Sequence, residues 1–210
     1  MDQLLLDLAQ PMNAAYNQTP TFQNSSKTAH VVHTVVNNMN AFLWLGTEDW
    51  QEWVFDDFNP VAVPSPDIGW VHQPSLDNVS EIMPQIEVLL SGLGWPPFLV
   101  AGHSKGAREA PIFHALMKEA GHSPLASRLY EPPRAGGSAL ADYLATENII
   151  GTQTQNAHGA DIVTLVPYGF GWENCCRLIE LGVPDTFGIR DKHVMSPGVL
   201  TGLGLLPAPT

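Results

Sequence analysis

The residue pattern most able to do chemistry in this sequence is the run from Gly102 to Gly106, which reads glycine, histidine, serine, lysine, glycine. The spacing G-x-S-x-G is typical of a sharp turn from a strand into a helix, where small flanking residues leave room for a strained serine backbone. Such a turn raises the serine hydroxyl above the sheet edge, and the helix N-terminus supplies N–H groups for an oxyanion. The pattern therefore predicts Ser104 as a nucleophile.

The segments on both sides of the pentapeptide have the character that this turn requires. Residues 97–101 form a short apolar run, as expected for a strand buried on both faces of a parallel sheet. Residues 107–120 can form a helix, although Pro111 lies within it. This context favours the catalytic interpretation over the alternative, a glycine-rich turn that serves packing alone.

A second segment could complete an oxyanion site. Residues 42–45 read as the end of a strand and are followed by Gly46 and Thr47. Hydrolases with this serine turn take one N–H from the residue after the serine and another from a loop after an earlier strand. We therefore predict Lys105 and Thr47 as the oxyanion donors. The alternative for Thr47 is a residue that merely closes a turn.

The remaining chain alternates between strand-like and helix-like segments, which is typical of a parallel sheet with crossover helices. The interpretation is an α/β fold with a mostly parallel central sheet flanked by helices, in a single domain over residues 1–210. The Gly- and Pro-rich end, residues 198–210, is expected to be loosely packed. The predicted helices are 4–16, 75–90 (bent at Pro84) and 138–146, and the predicted strands are 30–36, 41–45, 128–131 and 149–155.

Composition excludes several classes of partner. Nine basic residues stand against 21 acidic ones, a formal net charge of −12, which argues against nucleic acid and anionic membrane surfaces. No stretch approaches the roughly 20 apolar residues of a membrane span, and the N-terminus lacks the cationic start of a signal peptide, so a cytoplasmic location is the default expectation. The adjacent Cys175 and Cys176 are expected to be free thiols, and no metal or cofactor is predicted.

An ordered series of motifs resembles the class 3 lipase family, whose best-known members are the fungal triacylglycerol lipases. The resemblance covers residues 41–194 and implies an α/β-hydrolase fold and a carboxylic ester hydrolase activity, without a cofactor. The matching pieces are Gly46-Thr47 with Asp49-Trp50 and Asp56-Asp57, Val71-His72 with Leu76-Asp77, Gly102 to Gly106, Pro133 to Gly136 with Ala141 to Tyr143, and Asp161 to Pro167.

The same resemblance implies a catalytic triad of Ser104, Asp161 and a later histidine. His193 is the single histidine after Asp161 and lies in a matching region, and the order Ser, Asp, His is the one expected of α/β-hydrolases. The main competitor for the base is His158, shortly before Asp161. From the residues alone, Asp185 and Asp191 are rivals for the acid.

The sequence also departs from the family pattern. Lys105 stands where the family usually has leucine, and Ala107 where it usually has glycine. The lid-like segment, about residues 48–60, is short. Its aromatic residues interleave with acidic ones, which fits either an amphipathic helix packed on the core or a cap that contacts an acyl chain. These aromatic residues are Trp50, Trp53, Phe55 and Phe58.

Together these features predict a serine hydrolase that cleaves small-molecule or lipid esters through an acyl-enzyme, with a place in lipid metabolism. The short lid segment favours an esterase with a short or medium acyl preference. Two alternatives remain open at this point: an acyltransferase with the same triad, and a binding protein of this fold without turnover. The sequence makes no prediction of oligomeric state.

Overall fold

A mixed sheet of eight strands organises the part of the chain described by a computed structural model, residues 2–46, 61–169 and 171–207. Its order is β1-β2-β3-β6-β7-β8-β10, with β9 added to β8, while β4 and β5 form a separate antiparallel pair. The strands are β1 (Phe22–Gln23), β2 (His30–Val36), β3 (Met39–Leu45), β4 (Ala62–Ser65), β5 (Gly69–His72), β6 (Phe98–His103), β7 (Ala126–Tyr130), β8 (Ile149–Asn156), β9 (Gly159–Ala160) and β10 (Arg177–Gly182).

Five neighbouring strands, β3, β6, β7, β8 and β10, run parallel, so the predicted mostly parallel sheet is confirmed. The first two strands and β9 pair antiparallel with their neighbours. Parallel strands place all their carboxyl ends at one edge of the sheet, and in open α/β sheets ligands bind outside that edge. The loops after β6, β8 and β10 therefore define where a site can form.

Helices cover both faces of the sheet. In the described residues the helices are α1 (Gln3–Ala15), α2 (Gln73–Gly92), α3 (Lys105–Glu119), α4 (Ser138–Leu144), α5 (Ile189–His193) and α6 (Leu200–Gly202), with a 3₁₀ turn at Ile162–Leu165 and a π-helical turn at Met195–Val199. One hydrophobic cluster joins α2, α3 and α4 to the sheet, and a second joins α1 and α6 to the opposite face. None of the helices in the described residues is long and apolar enough to cross a membrane.

Residues 41–45 of strand β3 form an unbroken apolar run, and the packing of the strand gives the reason. Phe42 and Trp44 enter the cluster beneath α2 and α3, whereas Leu43 and Leu45 enter the cluster beneath α1. Successive side chains of a strand point to opposite faces. Because helices cover both faces, all five positions from 41 to 45 are buried and no polar alternation appears there.

The end of the chain differs from the expectation of a loose tail over residues 198–210. Val199, Leu200 and Leu203 are buried in the cluster beneath α1, and residues 208–210 lie outside the described part. Gly198 serves close packing, since a Cβ there would lie 2.2 Å from the carbonyl oxygen of Asp191. The apolar residues at helical spacing thus outweigh the Gly and Pro content. The prediction of a loose tail was wrong for these residues because it was based on composition alone.

Candidate active site

Ser104 lies at the turn between β6 and α3 with a strained backbone, φ +56° and ψ −126°. Backbone outliers of this kind cost roughly 1–3 kcal/mol and persist where the surrounding structure holds them. The flanking glycines are required by close backbone approach. A Cβ on Gly102 would lie 2.5 Å from the carbonyl oxygen of Gly106, and one on Gly106 would lie 2.1 Å from that of Trp44. The G-x-S-x-G spacing is therefore a steric requirement of this turn.

Ser104, His193 and Asp161 come together in one hydrogen-bonded chain. Nε2 of His193 lies 2.7 Å from Oγ of Ser104, and Nδ1 of His193 lies 2.7 Å from Oδ2 of Asp161. A carboxylate accepts hydrogen bonds, so Nδ1 carries the proton and Nε2 is free to accept the serine hydroxyl proton. All three side chains are buried. The arrangement can deprotonate the serine hydroxyl as it attacks.

Two loops at the carboxyl edge of the sheet position Asp161 and His193. Asp161 follows β9, where its Oδ1 accepts the N–H of Val163 at 3.1 Å and its own N–H donates to the carbonyl of Thr154 at 2.8 Å. His193 ends α5, and the hydroxyl of Thr154 donates to the carbonyl of Lys192 at 2.8 Å. Thr154, on β8, therefore holds the backbone of both loops.

The two rival aspartates accept backbone N–H groups, and the rival histidine is exposed. Asp185 accepts the N–H of Ala157 at 2.9 Å, and Asp191 accepts the N–H of Gly188 at 3.1 Å, before α5. His158 is exposed in the turn between β8 and β9. Aspartate commonly makes such turn and cap contacts. The geometry thus favours Asp161 and His193 over these competitors.

His103, directly before Ser104, is part of a second chain of hydrogen bonds. The N–H of Gly46 donates to the hydroxyl oxygen of Tyr16 at 2.9 Å, and that hydroxyl lies 2.5 Å from Nδ1 of His103. Burial, with a smaller contribution from His193, lowers the pKa of His103 to about 3. The ring is therefore neutral. The sequence pattern points to His103 only as a neighbour of Ser104 and does not reveal Tyr16.

The predicted oxyanion donors lie at the meeting point of β3 and α3. Lys105 is the first residue of α3, where backbone N–H groups have no partner within the helix. Its ammonium donates to the carbonyl oxygen of Thr28 at 2.7 Å. Gly46 lies so near the nucleophile that a Cβ there would be 2.8 Å from Cβ of Ser104. Thr47 and the lid-like segment 48–60 lie outside the described residues.

A buried polar network lies on the side of α3 that faces α2. Glu109 accepts from Nδ2 of Asn78 at 2.6 Å, and Oδ1 of Asn78 accepts from Asn24 at 2.7 Å. Arg108 lies 3.2 Å from Nε2 of His72. No motif in the sequence points to this network. It connects α3 to α2 and to the loop before β2.

Glu131 is a further buried acid beside the site. It directly follows β7, has a φ of +53°, and accepts the N–H of Thr154 with both carboxyl oxygens, at 3.0 and 3.1 Å. Burial, and next the charge of Asp161, raises the pKa of Glu131 well above its usual range.

Within residues 2–46, 61–169 and 171–207, no group of three or more histidine, cysteine, aspartate or glutamate side chains could hold a metal ion.

Comparison with solved structures identifies the fold. The triacylglyceride lipase of Rhizomucor miehei superposes with a TM-score of 0.63 at 18% identity, over 80% of this chain and 66% of that one. The Lip2 lipase of Yarrowia lipolytica gives 0.65 at 14%, over 87% and 79%, and MDLA of Penicillium cyclopium, as its N225Q mutant, gives 0.62 at 19%, over 89% and 72%.

At these identities the likeness establishes the fold. No protein-family model matches the chain, and no curated protein matches its sequence. The α/β-hydrolase type of fold and the resemblance to the fungal lipases, both predicted from the motifs, are confirmed at that level. This chain spans about two thirds of the Rhizomucor lipase, 66% of its length.

Proposed function

We propose that this chain is a serine carboxylester hydrolase, an esterase or lipase, with Ser104 as nucleophile, His193 as general base and Asp161 as the acid that orients the base. The observation that carries the proposal is the hydrogen-bonded chain from Ser104 Oγ to His193 Nε2 and from His193 Nδ1 to Asp161 Oδ2, each step 2.7 Å. The strained strand-to-helix turn that presents Ser104 gives it independent support.

Acylation begins when Oγ of Ser104 attacks the ester carbonyl carbon while Nε2 of His193 takes the hydroxyl proton. The carboxylate of Asp161 stabilises the imidazolium that forms. As the tetrahedral intermediate collapses, the bond from carbon to the alcohol oxygen breaks, and His193 delivers its proton to that oxygen. The alcohol leaves, and the acyl group remains bound to Ser104.

Deacylation uses the same groups with water as the nucleophile. His193 takes a proton from water as the water oxygen attacks the acyl carbon. The bond from that carbon to Oγ of Ser104 then breaks, and the proton returns from His193 to Oγ. The carboxylic acid leaves and the enzyme is restored.

The negative charge on the carbonyl oxygen needs donors in both half-reactions. The N–H of Lys105 is suited to this role because it belongs to the first turn of α3. We assign the second donor to Thr47, since Gly46 before it lies beside the nucleophile. The two together would stabilise the intermediate without any charged side chain.

We further propose that the substrates are neutral lipid or small-molecule esters. The structures compared above include lipases of Rhizomucor miehei and Yarrowia lipolytica. Leu165 and Tyr168, on the segment that follows Asp161, are 36% and 55% exposed and offer apolar surface to an acyl chain. p-Nitrophenyl esters of increasing chain length test this, with the highest kcat/KM expected at short or medium chains. A maximum at the longest chains would contradict the expected short or medium acyl preference and favour a lipase.

Covalent labelling tests the nucleophile itself. A fluorophosphonate probe should label the folded wild-type protein at Ser104, and Ser104→Ala should abolish both labelling and ester hydrolysis with a nearly unchanged thermal transition. Ser127→Ala is the matched control, because Oγ of Ser127 lies 2.8 Å from Nδ1 of His114 but is fully buried away from the turn. Labelling should persist in that variant. No adduct in the folded wild type would refute the hydrolase and favour a binding protein.

A further inference from the structure

Tyr16 stands at the end of α1 and contacts the residue next to Ser104. It follows Ala15, the last residue of the helix, and it is half-buried. Its ring packs edge-on against the ring of His103, with the two centroids 5.6 Å apart and an angle of 80° between the planes. A side chain from the first helix thus reaches the turn that presents Ser104.

The hydroxyl of Tyr16 has a defined direction. Nε2 of His103 lies 2.8 Å from the carbonyl oxygen of His193, which can only accept, so Nε2 carries the proton. Nδ1 of the neutral ring then accepts the hydroxyl proton of Tyr16, over 2.5 Å. The oxygen of the hydroxyl is left to accept the N–H of Gly46 at 2.9 Å. This single orientation satisfies both contacts of the hydroxyl.

Gly46 is enclosed between Tyr16 and the turn at Ser104. A Cβ on Gly46 would lie 2.8 Å from Cβ of Ser104, 2.9 Å from the hydroxyl oxygen of Tyr16 and 3.0 Å from the carbonyl oxygen of His103. Gly46 also lies beyond Leu45, the last residue of β3 that pairs with β2. The Tyr16 hydroxyl therefore takes the place of a strand partner for the N–H of Gly46.

The other end of α1 is held to β7, so Tyr16 projects from a fixed helix. The guanidinium of Arg128 donates to both carboxyl oxygens of Asp2, at 2.8 and 3.0 Å. The hydroxyl of Tyr130 donates to the carbonyl oxygen of Leu5 at 2.6 Å. Groups carried by rigid elements hold a site more accurately than groups on loops.

We propose that Tyr16 is a positioning residue of the oxyanion site: its hydroxyl fixes the N–H of Gly46 and so holds the end of β3 against the turn at Ser104. The inference rests on the proposed function, which assigns an oxyanion donor to Thr47, the next residue in the chain. A donor stabilises the oxyanion only where it lies about 3 Å from the oxygen on which charge develops. Tyr16 acts through the backbone and not on the reacting atoms.

Tyr16→Phe tests the hydroxyl alone, because it keeps the ring that packs on His103 and leaves the contacts of Asp2 and Arg128 in place. The variant should therefore fold. We expect its kcat for a p-nitrophenyl ester to fall by roughly 10- to 100-fold with little change in KM, the size of effect that follows from misplacing a group by about 1 Å. Wild-type kcat in this variant would overturn the proposal.

Tyr130→Phe is the matched control. It also removes one hydroxyl that bonds α1 to its surroundings, but at the end of the helix far from Gly46. Both variants should lower the thermal midpoint, and only Tyr16→Phe should lower kcat. Equal losses of kcat would mean that a loosened α1 is the cause, and the role of the bond to Gly46 would be refuted.

A transition-state analogue separates an oxyanion effect from a general loss of structure. With a trifluoromethyl ketone, Oγ of Ser104 bonds to the carbonyl carbon, the hydroxyl proton passes to Nε2 of His193, and the ketone oxygen becomes the oxyanion. The matching methyl ketone binds without this bond. In Tyr16→Phe the Ki of the trifluoromethyl ketone should rise by roughly 10- to 100-fold, and that of the methyl ketone should stay within about twofold. An equal rise for both would overturn the proposal.

The amide resonance of Gly46 tests the contact without turnover. In the Ser104→Ala background this proton should move upfield in Tyr16→Phe and stay in place in Tyr130→Phe. Rapid exchange of the same amide in wild type would overturn the proposal whether or not Tyr16→Phe folds. If wild type hydrolyses no ester but the resonance moves, the proposed function fails and the hold of Tyr16 on Gly46 stands. If the enzyme is active and the resonance does not move, the inference fails alone.

Discussion

The Nε2–H of His103 donates a hydrogen bond to the backbone carbonyl oxygen of His193, 2.8 Å away. Because Nε2 carries the proton, Nδ1 of the neutral ring accepts from the hydroxyl of Tyr16. Tyr16 in turn accepts the N–H of Gly46, at the end of β3. One directed chain thus joins the end of β3, the turn at Ser104 and the loop that carries His193.

This chain predicts a role for His103 in turnover. Glutamine at position 103 can form only part of the hydrogen bonds that His103 makes, so the backbone of His193 should lose its fixed position. We expect His103→Gln to lower kcat by roughly 10- to 100-fold with a smaller effect on KM, because a displacement of about 1 Å at a catalytic group has an effect of this size. Steady-state kinetics check this, with His158→Gln as the exposed control. Wild-type kcat in His103→Gln would contradict the role.

The buried histidines predict how stability changes in acid. The pKa of His103 is lowered by burial to about 3, against about 6.5 in an unfolded chain. Between these values the unfolded chain binds a proton that the folded chain does not, so the free energy of unfolding falls as the pH falls. The slope is at most about 1.4 kcal/mol per pH unit for one such histidine. Burial also lowers the pKa of His114, which adds to the effect.

Urea unfolding between pH 7 and pH 4 measures this slope. His103→Gln should flatten the dependence of the unfolding free energy on pH, whereas His158→Gln, at an exposed turn, should keep the wild-type slope. An equal slope in wild type and His103→Gln would show that His103 is not the group that titrates.

Glu131 predicts the opposite trend on the alkaline side. Its pKa is raised in the folded state, so its contribution to stability is fully present below about pH 4.3, the ordinary value, and is lost as the pH rises through the folded value. Wild type should therefore lose unfolding free energy from pH 5 toward alkaline pH more steeply than Glu131→Gln, which cannot titrate. Urea unfolding at pH 5, 7 and 9 checks this. Parallel curves would mean that the folded state holds no proton on Glu131.

The choice of acid is tested by removing one carboxylate at a time. Asp161→Asn keeps the size of the side chain but no longer holds His193 in the tautomer that accepts at Nε2, so kcat should fall by roughly 10³–10⁴-fold. Asp185→Asn, at an exposed turn, should leave kcat near wild type. The two variants are compared by ester hydrolysis at pH 8. Near-wild-type kcat in Asp161→Asn would move the acid elsewhere.

Lys105 departs from the family pattern, and its contact with Thr28 suggests a reason. The ammonium is tied to the loop before β2, while the proposed oxyanion donor is the backbone N–H, which any residue other than proline supplies. We expect Lys105→Met to keep kcat within about threefold of wild type and to lower the thermal midpoint modestly. Kinetics and thermal unfolding measure the two effects. A loss of kcat near 100-fold would mean that the cation itself takes part.

Short-range patterns determined the elements and the nucleophile turn of this protein. The apolar run before Gly102 and the small residues at positions 102 and 106 meet a steric requirement of the turn itself. Because this requirement involves only residues that are neighbours in the chain, it can be predicted from the sequence. The order of motifs likewise carried the resemblance to the fungal lipases, which the fold bears out. Composition was a poorer guide at the chain end, where Val199 and Leu203 pack into the core despite their Gly- and Pro-rich setting.

Only the tertiary structure shows how the residues around Ser104 are arranged. The resemblance had pointed to Asp161 and His193, and the strand order brings the loops after β9 and α5 to one sheet edge, where these two side chains meet and Asp185 and His158 do not take part. The same holds for Glu131 and Tyr16, whose residue types are unremarkable in sequence. The role of a buried acid can be inferred only when its neighbouring groups are known, because charge interactions and hydrogen bonds depend on distances of a few ångströms. Those distances join residues far apart in the chain.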